Sequence, residues 1–388
     1  MSDADMVPIN GRCDPRFAPV REAFADNFTQ RGECGAAVCI AVEGRVVVDI
    51  WGGYADAGRS RPWQGDTLVN VFSVGKAMAA LSLHRLVGQG RLQVDHAVAR
   101  YWPEFAAAGK EAVTVGQLLS HQAGLPAVRR RLPHGAMLDW GTMTAALAEQ
   151  EPWWEPGTAH GYHVNTFGFL VGEVVRRISG QTLGRVFRDE VAGPLGADVH
   201  IGLEKSADHR VAEFIWAGPV PPQAEVPGLS DDQLMELNAY ANPSGLSGAG
   251  VINTREWRAA EVPSTNGHAT ARGVARVYQA LAAGGVVDKV RVVDADALAA
   301  ATVEQVYGED RILHRPSRFG LGFQLTHEER PLGPNPRSFG HFGVGGSLGF
   351  CDPDAGVAFA YVMNEMGPRW QNPRNRALIN SVYASLGR

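Results

Sequence analysis

The sequence predicts an α+β chain: one antiparallel sheet assembled from both ends of the polypeptide, with a mostly helical unit inserted between them. Two observations carry this. Strand-like runs punctuated by turn residues cluster near the N-terminus and again in the C-terminal third. The stretch between them is dominated by apolar segments of helical period. The expected units are 1–70 with 290–388 for the sheet, and 71–289 for the helices.

The elements follow in order. The run PRFAPVREAFADNF over 15–28 spaces Phe17, Val20, Phe24 and Phe28 as one helix face. GAAVCIAV over 35–42 and RVVVDIW over 45–51 are β-rich and separated by Glu43-Gly44, a hairpin signal. Helices are expected over 77–87, ending at Gly88 and Gly90, and over 115–121, before Gly124 and Pro126. Two more run over 165–178, before Gly180, and 269–283, stopped by Gly284 and Gly285. The stretch from about 200 to 265 reads as loop, with Pro219-Val220-Pro221-Pro222 and NPSGLSGAG over 242–250 inside it. Strands return at 319–325, 338–342, 349–351 and 356–364, and a helix over 374–386 closes the chain.

Composition bounds the function. The 388 residues are 45% hydrophobic and 20% charged, which suits one large domain or two intimate ones. A net charge of -5 gives no field for nucleic acid or an anionic membrane, and Arg129-Arg130-Arg131 reads as a solvated loop. No apolar run is long enough to span a bilayer. The start, MSDADMVPIN over 1–10, lacks the basic-then-apolar pattern of a secretory signal. Cys13, Cys34, Cys39 and Cys351 show no paired spacing, and the histidines form no HExxH cluster. The expectation is a cytoplasmic protein without disulfides, structural metal or cofactor. Its partner is a small molecule, and it is a monomer or a weak homo-oligomer.

One short run carries chemistry. In VFSVGKAMAA, residues 71–80, Ser73 and Lys76 stand three residues apart, on one face of a helix. An uncharged lysine amine one turn away can take the proton of a serine attacking a carbonyl. The flanking residues are apolar, and burial is what discharges a lysine. Serine is also a favoured helix cap, so the pair alone leaves open a cap beside an ordinary lysine. Of the four lysines (Lys76, Lys110, Lys205 and Lys289), only Lys76 follows a serine at that spacing. GGSLG over 345–349 offers a rival in Ser347, as a nucleophile elbow. That elbow needs a helix after the serine, and here a turn and a strand follow.

Three further stretches accompany SVGK (73–76) in order: TVGQLLSHQAGLP (114–126), WEPGTAHGYH (154–163) and GHFGVGGS (340–347). Together they resemble the serine β-lactamase-like superfamily, and in particular class C β-lactamases and family VIII carboxylesterases, over about residues 15–385. The resemblance implies a central antiparallel sheet flanked by helices, an inserted helical domain, and a site in the cleft between them. It implies Ser73 as the acylated nucleophile, Lys76 as its base and Tyr162 as a partner in proton transfer. His341-Phe342-Gly343 matches the strand lining the cleft. The N–H groups of Ser73 and Val344 would form the oxyanion hole, where loss of one donor typically costs on the order of 3 kcal/mol. Trp153 and Trp154 are candidate walls of an acyl pocket, although tryptophan is as often core.

The sequence departs from the β-lactamase pattern in two places. Tyr162-His163-Val164 carries no asparagine where Tyr-x-Asn would place one, and His341 stands where that strand carries lysine. Both positions help hold the amide and carboxylate of a lactam, so the expectation is a carboxylesterase of short-chain, neutral esters. His341 reads equally as polar cleft wall or packed strand residue. The alternatives are a β-lactamase or D-Ala-D-Ala peptidase, an acyltransferase, and a binding module that keeps the fold without the chemistry.

Overall fold

A computed structural model describes residues 7–218, 228–245, 248 and 250–387. The Pro219–Pro222 run, part of the 242–250 stretch and most of the acidic start lie outside the described residues.

Among the described residues, nine strands form one antiparallel sheet. In chain order they are β1 (Ile9–Cys13), β2 (Gly35–Val42), β3 (Arg45–Gly53), β4 (Val306–Glu309), β5 (Pro316–Phe319), β6 (Gln324–Leu325), β7 (Phe339–Phe342), β8 (Leu348–Asp352) and β9 (Val357–Met363). Their spatial order is β1-β3-β2-β9-β8-β7-β6-β5-β4. The two chain ends therefore meet in mid-sheet, where β2 and β9 pair with Val38 opposite Tyr361. Both strands are apolar along nearly their whole length, as strands covered on both faces must be.

Helix α1 (Ala18–Gln30) packs with the C-terminal helix, and α2 (Val74–Gly88) packs against β7. Helices α3 (Trp140–Glu149) and α4 (Thr166–Ser179) extend the helical side, with α4 against α2. Helix α5 (Asp231–Ala241) lies in the stretch expected to be loop. Ser230 and Gln233 satisfy each other's backbone N–H groups in a capping box that starts it, a local signal outweighed in the sequence by the surrounding Pro and Gly. Helix α6 (Ala271–Ala282) falls within the range assigned to the helical unit, yet packs on β2, β8 and β9. The last helix is α7 (Pro373–Leu386). No helix among the described residues is long and apolar enough to cross a membrane.

Candidate active site

Helix α2 is buried without a break from Val74 through His84, and again at Leu86 after a half-buried Arg85. A helix buried all round has no solvent face, so any polar group on it must find partners inside. Ser73 stands at its N-cap, and Phe72 before it adopts a left-handed backbone with φ 49°. That conformation is costly for a bulky residue, and it is held by edge-on packing of Phe72 on Phe214 at 4.8 Å.

Lys76 is fully buried. Its Nζ lies 3.1 Å from Ser73 Oγ, 2.6 Å from the Val164 carbonyl and 3.1 Å from the Ser264 carbonyl. Burial alone holds its pKa well below the ordinary lysine value. A neutral amine has two N–H bonds and one lone pair. The two carbonyls accept the N–H bonds, which turns the lone pair toward Ser73. Gly75 makes this possible: a Cβ there would sit 2.6 Å from the Pro263 carbonyl, so only glycine lets α2 approach the segment that supplies Ser264.

Tyr162 is fully buried, with its ring centroid 4.7 Å from Lys76 Nζ and its hydroxyl without a hydrogen-bond partner. Burial raises its pKa, and the Ser73 hydroxyl is the foremost influence holding it down. The Tyr162 backbone is fixed from both sides. Its N–H donates to Asp310 Oδ1 at 2.9 Å, and that buried carboxylate also accepts from Ile312 N, Leu313 N and Ser317 Oγ. The next residue, His163, donates Nδ1–H to the Gly161 carbonyl while its Nε2 accepts from Leu125 N. Burial keeps that imidazole neutral, with a pKa pushed down to about 3. Asp310 and His163 have no signal in the sequence, because their partners are backbone groups brought in by the fold.

Strand β7 delivers the other side of the site. Gly343 follows it, and a Cβ there would lie 2.4 Å from both the Val71 carbonyl and Ser347 Oγ, so glycine is required where the strand end meets the chain entering Ser73. Val344 comes next, in the same cavity wall as Ser73. Among the described residues, neither the Ser73 nor the Val344 N–H donates to a backbone carbonyl. Ser347 donates its hydroxyl to the Val71 carbonyl at 3.1 Å and is followed directly by β8. It braces the entry to Ser73.

Ser73 opens into a cavity of about 1140 Å³ walled by Phe72, Trp216, Ile312, Met366 and Trp370. The structure corrects the expected walls. Trp154 is buried in a cluster with Tyr162, Ile312 and Phe319, its indole N–H on the Ala159 carbonyl. Its ring packs edge-on against His163 and lies outside the cavity wall. His341, Phe342 and Gly343 are also outside that wall. His341 is a packed strand residue tied to the Phe342 carbonyl at 2.8 Å, its pKa lowered by burial to about 3. Phe342 is core, its N–H on Gln324 Oε1. An amide does reach the cavity, one residue beyond the expected position: Asn165 lines it, with Nδ2 on the Ala239 carbonyl and a buried Oδ1 that has no partner.

The fold is that of the β-lactamases and penicillin-binding proteins. A family VIII carboxylesterase superposes with a TM-score of 0.90 at 45% identity, covering 97% of this chain and 100% of its own. A penicillin-binding protein homologue from Caulobacter crescentus does so at 0.89 and 43%, covering 97% and 100%. The esterase/β-lactamase LipL of Mycobacterium tuberculosis is 37% identical over 369 residues, 92% of this chain and 83% of the relative. The β-lactamase family pattern spans residues 20–384, and this chain belongs to that family.

Proposed function

We propose that the protein is a serine carboxylesterase that cleaves short-chain carboxylic esters through an acyl-enzyme on Ser73. The observation that carries the reading is the environment of Lys76: a buried amine with two N–H bonds committed to carbonyls and its third position on Ser73 Oγ. Lys76 takes the serine proton as Oγ attacks the ester carbonyl, and the N–H groups of Ser73 and Val344 receive the developing oxyanion. Tyr162 relays that proton from Lys76 to the departing alkoxide, which restores both groups, and then helps a water attack the acyl-enzyme. The esterase relatives support ester cleavage, and a neutral, packed His341 where a lysine would hold a lactam carboxylate favours esters over lactams.

Hydrolysis of p-nitrophenyl acetate and butyrate by wild type, Ser73→Ala and Ser347→Ala tests it. Turnover is lost in Ser73→Ala and kept in Ser347→Ala. Loss in Ser347→Ala alone overturns the choice of nucleophile. Equal turnover of nitrocefin and esters by the wild type would move the protein to the lactamases.

A further inference from the structure

Resting on the esterase reading, we propose that Arg315 makes the Ser73 cavity selective for esters carrying a carboxylate or a similar anionic group away from the scissile bond. Arg315 lies in the turn before β5 and lines the same cavity as Ser73. Its guanidinium stands over the Trp370 indole, Cζ 5.2 Å from the ring centroid, and its Nε is buried without a hydrogen-bond partner. Among the described residues it makes no ion pair, whereas its neighbours do: Arg311 pairs with Asp232 and Arg318 with Glu304. The carboxylates at hand are committed. Asp310 accepts from Tyr162 N, Ile312 N, Leu313 N and Ser317 Oγ, and Glu236 faces His314 at 3.2 Å.

A half-desolvated guanidinium with a buried, unmatched N–H gains most from an anionic oxygen, which can take two of its parallel N–H bonds. The placement suits a substrate group. The Trp370 ring packs on Tyr162 at 5.1 Å, so an anion on Arg315 lies one indole away from the reacting bond.

The test compares matched esters that differ by one charge. On the acyl side these are mono-4-nitrophenyl glutarate and 4-nitrophenyl valerate; on the alcohol side, 4-acetoxybenzoate and phenyl acetate. In at least one pair the anionic-to-neutral ratio of kcat/KM falls about tenfold in Arg315→Gln, and Arg315→Lys recovers part of it. Calorimetric titration of Ser73→Ala with the same esters reads the preference without turnover, and Arg315→Gln in that background removes it. A ratio unchanged by Arg315→Gln in both pairs, with no anion preference in binding, overturns the proposal. Failure of the esterase reading itself shows differently: none of the four esters turns over, while binding still reports on Arg315.

Discussion

Two lysines among the described residues are buried, and they sit in regions built for opposite ends. Lys110, in the turn region ahead of α3, sends Nζ to three backbone carbonyls: Ala107 at 2.7 Å, Ala148 at 3.0 Å and Gln150. Lys76 reaches two carbonyls and a serine hydroxyl. Three carbonyls use all three N–H bonds of an ammonium, and Lys110 keeps its charge near neutrality, with burial lowering its pKa only to about 8. Two carbonyls suit an amine, and burial holds Lys76 well below the ordinary lysine value. The difference teaches that burial alone does not make a lysine a base: what counts is whether one of its three positions is left for a group that can give up a proton.

The sharpest way to break this comparison is to remove each lysine in turn. Lys76→Met is expected to lower kcat on p-nitrophenyl butyrate by about a thousandfold or more while remaining folded, because relief of the buried amine's desolvation offsets the two carbonyls left behind. Lys110→Met is expected to cost about 3 kcal/mol in denaturant unfolding, by orphaning three carbonyls, with kcat per folded molecule within about twofold. Swapped outcomes would refute the assignment of base and staple.

Tyr162→Phe comes next, with kcat lower by about a hundredfold and little change in stability, because the hydroxyl gives up no intramolecular hydrogen bond. Esterase rates with Tm on the same preparation check it.

A pH series sharpens the contrast further. Lys76 must be unprotonated to act, so kcat/KM falls as pH drops through its depressed pKa, and Lys110→Met leaves that limb in place. Stability carries the same signature. The unfolded chain protonates this lysine below its ordinary value and the folded chain does not. Wild type therefore loses stability relative to Lys76→Met as pH falls from 10.5 toward the folded pKa, and the gap closes again above 10.5. Activity that rises as pH falls below the ordinary lysine range would contradict the Lys76 role.

The smallest effect belongs to Ser347→Ala, which loses one bond to the Val71 carbonyl and about 1 kcal/mol of stability, read as a small drop in Tm.

The sequence made some of this legible and hid the rest for physical reasons. Ser73 and Lys76 are one helical turn apart, so their proximity is local and readable. The carbonyls that hold Lys76 in place come from Val164 and Ser264, far along the chain, and any residue type offers a carbonyl. The two-ended sheet was readable because its strands are apolar runs bounded by Gly and Asp-Pro. Helix α5 was not, since its cap lies among breaker residues. Trp154 was misplaced because a tryptophan's size suits a pocket wall and a packed core alike.

The pairing of β2 with β9 has a consequence for biosynthesis. The nascent chain exposes one edge of β2 long before its partner β9 is made, since Val38 pairs with Tyr361 far along the chain. Until then the free edge of an apolar strand stands open on the small β1-β3-β2 sheet, a state prone to sticking to other chains. The nucleophile's surroundings are completed only once Val344 and Trp370 have been made, so the nascent chain depends on protection during that interval more than one whose contacts are local.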